Sequence, residues 1–175
     1  MKIGVIADTH LTKTSSVINS VKNMIRNKRT IGKLRTLVQE YFSDVDLIIH
    51  AGDFVELVVL EMLQEFAPVE AVHGNMDTAE IRHTLPAYKV LTLGGFSVGL
   101  IHGDGGPEGI MDRIKRHFNN VDAIIFGHTH HPINQQQEGI LFFNPGSPTD
   151  RIFAPYNSLG LLEISDKIQA SIIRV

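Results

Sequence analysis

Apolar positions in this chain come in short blocks, and nearly every block hands over to a polar cluster containing Asp, His or Asn. Ile3 to Ala7 is an uninterrupted β-branched run, as expected of a strand covered on both faces, and it ends in Asp8-Thr9-His10. From Ser15 the spacing turns helical. Val17, Val21, Met24 and Ile25 recur on one stripe, then Leu34, Leu37, Val38 and Tyr41, with Asn27 to Gly32 between them. That spacing predicts two helical pieces with a bend near Gly32. Asp46 to His50 reads as the next buried strand and runs into Ala51-Gly52-Asp53, after which Leu57 to Phe66 return as a helix stopped by Pro68. Val69 to His73 is a third strand, leading into Gly74-Asn75-Met76-Asp77.

The rhythm then changes. Tyr88 to Leu93 and Phe96 to Ile101 flank Gly94-Gly95 and predict a hairpin, with His102-Gly103-Asp104 at its far end. Ile110 to Phe118 reads as a helix, Val121 to Phe126 as a strand entering Gly127-His128-Thr129-His130-His131, and Ile140 to Phe143 as a strand entering Asn144-Pro145-Gly146-Ser147. Ser158 to Ile164 and Ile168 to Arg174 close as a second hairpin over Ser165-Asp166-Lys167. The economical architecture is α/β: a two-sheet sandwich with helices outside (α-β-β-α), βαβ in its first half and mostly hairpins in its second. Ligands in such folds gather at the carboxyl ends of strands, which is where the polar clusters fall.

Length and composition narrow the class. The 175 residues suit one domain, and 43% hydrophobic with 20% charged residues is ordinary for a globular chain. No run approaches the roughly 18 apolar residues of a membrane span, and the opening residues read as a strand rather than a signal peptide, so a cytoplasmic protein without a membrane partner is expected. Cysteine is absent, which excludes disulfides and thiolate sites, so any metal must be held by nitrogen and oxygen. Charge is unevenly spread. Lys13, Lys22, Arg26, Lys28, Arg29, Lys33 and Arg35 occupy residues 11 to 39 with no acidic neighbour, and subtracting these seven from the net −3 leaves about −10 for the remainder.

Candidate chemistry lies in the strand exits. His128 and His130 are two apart, so in an extended segment both imidazoles can be presented to one point, with Gly127 allowing close backbone approach. Together the exits supply Asp8, His10, Asp53, Asn75, His102, His128 and His130. Seven such ligands exceed the needs of one ion and suit two ions about 3.5–4 Å apart that share a carboxylate. Mixed nitrogen and oxygen donors favour Mn²⁺, Fe²⁺, Zn²⁺, Co²⁺ or Ni²⁺ over Ca²⁺ or Mg²⁺.

Asp8-Thr9-His10, Gly52-Asp53, Gly74-Asn75-Met76-Asp77, His102-Gly103 and Gly127-His128-Thr129-His130 resemble, in order, the five motifs of calcineurin-like metallophosphoesterases. The small size resembles the bacterial and archaeal phosphodiesterase branch to which the retromer subunit VPS29 is related. The resemblance implies a first metal on Asp8, His10, Asp53 and His130 and a second on Asp53, Asn75, His102 and His128, with Asp53 as the bridge. Asp53, Asn75 and His128 would then be catalytic, manganese the leading metal, and a metal-bridging hydroxide the in-line nucleophile on a small phosphodiester.

Three departures shape the expectation. Many relatives carry His where Met76 stands, and a thioether cannot protonate a leaving group, which favours diesters over monoesters. Close relatives often read His-Gly-His where this chain has His102-Gly103-Asp104. The stretch between Asp8 and Asp53 also looks long, and its excess is a basic helical insertion around residues 13–42. That segment is read mainly as solvated surface, with nucleic-acid steering left open. His50 and His73 are read as structural, His131 as either solvated or substrate-facing, His83 and His117 as without a role, and Arg151 as surface charge. A second function of another class is a VPS29-like interaction scaffold with a vestigial site, and homo-oligomerisation stays open.

Overall fold

Alternation along the strands explains the layers seen in the computed structural model of the protein, which describes residues 1–11, 20–150 and 152–175. One sheet orders β10 (Ile168–Arg174), β9 (Ser158–Ile164), β1 (Lys2–Ile6), β2 (Leu47–His50) and β3 (Val69–Ala71), with β1, β2 and β3 parallel. The other orders β4 (Tyr88–Leu93), β5 (Phe96–Ile101), β6 (Ala123–Ile125), β8 (Ile140–Asn144) and β7 (Ile133–Gln137), with β5, β6 and β8 parallel. Ile3, Val5, Leu47 and Ile49 pack between the sheets against Val98, Leu100, Ala123 and Ile125. The intervening Ile6 and Ile48 point outward, to Leu34, Val38 and Phe42 of or just beyond α1 (Ser20–Tyr41) and to α2 (Val58–Gln64). On the far side Ile124 and Phe142 meet Ile110 and Ile114 of α4 (Ile110–Lys115), completing the α-β-β-α order. At position 4 a Cβ would lie 2.7 Å from the Phe42 ring, so glycine there lets α1 seat on β1.

The structure differs from the sequence expectation in three places. Helix α1 runs unbroken from Ser20 to Tyr41, so Gly32 does not divide it into two pieces. An interior glycine costs about 1 kcal/mol, which is too little to break a helix anchored by Leu34 and Val38 at four-residue spacing. Strand β7 was not expected, because Asn134 to Gln137 offers no apolar alternation. Its hairpin is instead set by a two-residue turn in which Glu138 (φ 51°) and Gly139 (φ 80°) are both left-handed, so Gln137 pairs with Ile140. The short α3 (Ala79–Thr84), whose buried residue is Ile81, has too few apolar positions for a periodicity to predict it. The first part of the expected helical pair, Lys13 and Arg151 lie outside the described residues, as do the side chains of residues 20–30. Arg35 is not an unpaired cation: its guanidinium meets Glu65 of the segment after α2 at 2.5 and 3.0 Å. No helix among the described residues is long and apolar enough to cross a membrane.

Candidate metal centre

Five parallel strands end on the same rim, three from one sheet and two from the other, and each exit loop delivers a candidate ligand there. Asp8 and His10 follow β1, Asp53 follows β2, Asn75 follows β3, His102 follows β5, and His128 and His130 follow β6. The loops are tied together through their backbones: Asp8 N–H donates to Gly52 O (3.1 Å), His10 N–H to Asp53 O (3.0 Å) and Gly127 N–H to His102 O (3.1 Å). Asp8, His10, Asp53, His128 and His130 all adopt positive φ, between 46° and 70°. Five non-glycine residues held in this disfavoured region within one rim is strain of the kind found at functional sites.

Close approach requires small residues beside the carboxylates. A Cβ at Gly127 would lie 2.8 Å from Asp8 Oδ2, and one at Gly74 would collide with the Asp53 carboxylate.

Asp8, His10, Asp53, His102 and His130 converge. From Asp8 Oδ1 the ring nitrogens lie at 3.4 Å (His130), 3.9 Å (His10) and 3.9 Å (His102). From Asp53 Oδ2 they lie at 3.3 Å (His102) and 3.7 Å (His10). Asp8, His10 and His130 form one set of donor atoms that a single ion can reach, and Asp8, Asp53 and His102 form another. Nε2 of His10 and Nε2 of His130 face each other at 3.1 Å. Asp8 is wholly buried, yet its Oδ2 has no hydrogen-bond partner, and neither has Nε2 of buried His102, whose contact with Asp53 lacks hydrogen-bond alignment. Two orphaned polar atoms at one buried spot cost several kcal/mol unless a cation satisfies them. The residues present therefore fit divalent metal.

The remaining contacts fix which nitrogen faces inward. His102 Nδ1 donates to Ala51 O (2.7 Å), and His130 Nδ1 meets Asp150 Oδ2 (2.6 Å), so both rings turn Nε2 to the centre. Burial works against protonating His130, but the carboxylates of Asp8 and Asp150 outweigh it and lift the ring to about 9. Burial likewise opposes ionisation of Asp150, and His130 with the amides of Ile152, Ala154 and Phe153 brings it down to about 2. Burial opposes the Asp53 carboxylate too, yet His102 and the Met76 amide hold it below its ordinary value. Burial lowers His10 more than the two aspartates raise it.

His128 adjoins this group, its backbone N–H donating to Asp8 Oδ1 (3.1 Å) and its ring lying edge-on to His102 at 5.2 Å, but its ring nitrogens face other oxygens. His128 Nδ1 faces Asn75 Oδ1 (3.1 Å) and its Nε2 faces Gly105 O (2.7 Å). A neutral ring can donate to only one of those oxygens. The extended backbone expected for His128 and His130 is not found: each residue is left-handed, and His130 turns to Asp8 and His10 while the Nδ1 of His128 faces Asn75. Met76 is exposed beside them (57%). The Asp104 carboxylate is exposed, 3.6 Å from Arg113 Nε.

Two residues without an expected role hold the loops. Asp77 is buried and accepts from the amides of Asp53 (3.0 Å), Val55 (2.7 Å) and Gly74 (2.7 Å), joining the second and third exits. Asp150 orients His130. The first stands inside a motif read in the sequence, whereas Asp150 follows no strand exit and carried no signal. Buried His50 accepts from Gly52 N–H (3.1 Å), bonds Thr9 (3.2 Å) and stacks on Phe54 at 3.7 Å, in keeping with a structural role. His131 is exposed and bonds the Thr129 carbonyl.

The model of the calcineurin-like phosphoesterase superfamily domain matches residues 1–167. A probable metallophosphoesterase of Methanocaldococcus jannaschii is 37% identical over 180 residues, which is all of this chain and 82% of that protein. A single-site variant of Vps29 from Entamoeba histolytica superposes with TM-score 0.69 at 24% identity, covering 100% of this chain and 99% of its own. A structure described as a novel archaeal phosphodiesterase gives 0.69 at 21% identity over 99% and 100%. The two structural likenesses bear on fold alone.

Proposed function

The chain belongs to the calcineurin-like phosphoesterase superfamily, and from that premise we propose that it is a phosphodiesterase working with two divalent ions. Asp8, His10, Asp53 and His130 would hold the first ion, and Asp53, Asn75, His102 and His128 the second, with manganese as the leading candidate. The ions would supply positive charge to the phosphate oxygens and an acidified water for in-line attack. The observation that carries the reading is the pair of unpartnered buried atoms, Asp8 Oδ2 and His102 Nε2, within a set of imidazoles and carboxylates.

The chain's own residues prepare the site for an anion. Ala51 O and the Asp150 carboxylate each engage a histidine Nδ1, turning Nε2 inward. Asp53 is held ionised, as a bridging ligand must be. Exposed Met76 offers no proton to a departing oxygen, so groups that leave as stable anions are favoured. Arg113 lies 3.6 Å from the exposed Asp104 carboxylate and partly offsets its charge.

Mass-spectrometric metal analysis, with hydrolysis of bis(4-nitrophenyl) phosphate in Mn²⁺, tests this. Bound metal and a rate above buffer are expected, and the absence of both would sink the proposal. The second reading, an interaction scaffold, has one observation in its favour: Ile152 (82% exposed) and Phe153 (66%) project beside the site. A stoichiometric partner indifferent to Asp53→Ala, in a protein without hydrolysis, would establish it.

A further inference from the structure

A cleft of about 260 Å³ opens against Asn75 and His102, and most of its wall is made by residues the metal reading does not use. Tyr88 at the start of β4 is half-exposed (48%), yet its ring is braced, 5.9 Å from Phe118 edge-on and 5.1 Å from His117. A large aromatic fixed from behind and open in front is a ready contact face. Buried Ile101 adds apolar floor. On α3, Arg82 stands exposed at the same cleft with no carboxylate partner among the described residues, so its charge is open to an anion there. His73, His117 and Asp104 complete the polar part, with the Asp104 carboxylate 3.6 Å from Arg113 Nε. The volume lies just below the range of drug-sized pockets and suits one ring system with its sugar.

We propose that this cleft receives one ester arm of the substrate and that the arm is a nucleoside. Tyr88 takes the base on its ring, Ile101 supports it, and Arg82 pairs with a phosphate on the far side of the sugar. The reacting phosphate then sits beside Asn75 and His102. This inference rests on the phosphodiesterase reading for its place in the reaction, and its test is a binding measurement that does not depend on turnover.

Calorimetric titration of the Mn²⁺-loaded protein with methyl phosphate, thymidine 5′-phosphate and thymidine 3′,5′-bisphosphate provides that test. Affinity should rise in that order. Tyr88→Ala should weaken thymidine 5′-phosphate about tenfold, as for the loss of one stacked base, and leave methyl phosphate unchanged. Tyr88→Phe keeps the ring and should restore the affinity, which separates contact from folding. Arg82→Ala should weaken the bisphosphate about tenfold more than it weakens the monophosphate, and Arg82→Lys should recover part of that loss. Equal wild-type affinity for methyl phosphate and thymidine 5′-phosphate, or loss of both on Tyr88→Ala, overturns the nucleoside subsite even where bis(4-nitrophenyl) phosphate is hydrolysed. Ring-dependent binding without any hydrolysis leaves the subsite standing and removes the phosphodiesterase reading instead.

Discussion

The two halves of the centre are built to different standards. Asp8, Asp53 and His102 are buried, neighbours fix the His102 ring and the Asp53 carboxylate, and Asp8 Oδ2 and His102 Nε2 are left without hydrogen-bond partners. Around Asn75 and His128 the groups are more open, and the His128 Nε2 is engaged with the Gly105 carbonyl rather than with the other ligands. In the proposed two-ion arrangement the closed half needs no rearrangement, while His128 would have to leave the Gly105 carbonyl before its Nε2 could serve as a ligand. Preorganisation here costs backbone strain and stranded polar atoms, and openness leaves room for a substrate.

Asp53→Asn should break both halves at once, because an amide brings no negative charge to two cations. Metal content should fall towards zero and hydrolysis to background; two retained ions with most of the activity would exclude Asp53 as a bridge. His128→Ala should divide the halves. One ion is expected to remain by mass spectrometry, with kcat on bis(4-nitrophenyl) phosphate lowered on the order of 10²-fold, whereas loss of both ions would show that the halves are not separable. Asp150→Asn acts only on the closed half through His130, and a 10–100-fold loss of metal affinity is expected from removing such an orienting partner. An unchanged dissociation constant would relegate Asp150 to loop capping, through its contacts with the amides of Ile152, Phe153 and Ala154.

The smallest effect is the pH slope. In the metal-free protein His130 is raised to about 9, above its ordinary 6.5, so its protonated ion pairs stabilise the fold fully below pH 6.5. That contribution is lost as pH rises through 9. The melting temperature of metal-free protein should therefore fall across this window, relative to protein in which metal already holds His130 deprotonated. Metal affinity should rise with pH by at most about tenfold per unit and level off above 9, since binding displaces the proton. A flat profile in both measurements would show that His130 does not hold the metal.

Much of this was legible in the chain. Ile3, Val5, Leu47 and Ile49 declare buried strands by composition, and the hairpins at Gly94-Gly95 and Ser165-Asp166-Lys167 follow from turn chemistry, because both signals depend on residues near in sequence. The seven polar exit residues could be picked out for the same reason: each interrupts an apolar run. What local pattern could not give was β7, whose Asn134 to Gln137 are ordered by pairing with β8, or the unbroken α1, where packing of Leu34, Val38 and Phe42 outweighs Gly32.

The sequence by itself determined which residue types stand at the strand exits, and hence that any metal must be held by nitrogen and oxygen. Only the tertiary structure decided how they divide. It parted His128 from His130 by placing both in left-handed conformations, brought Asp150 to His130 across 20 residues, and set Tyr88 and Arg82 on one cleft with Asn75 and His102. Ligand identity is written one residue at a time. Direction and proximity come from how two sheets pack, which no stretch of sequence shorter than the whole chain contains.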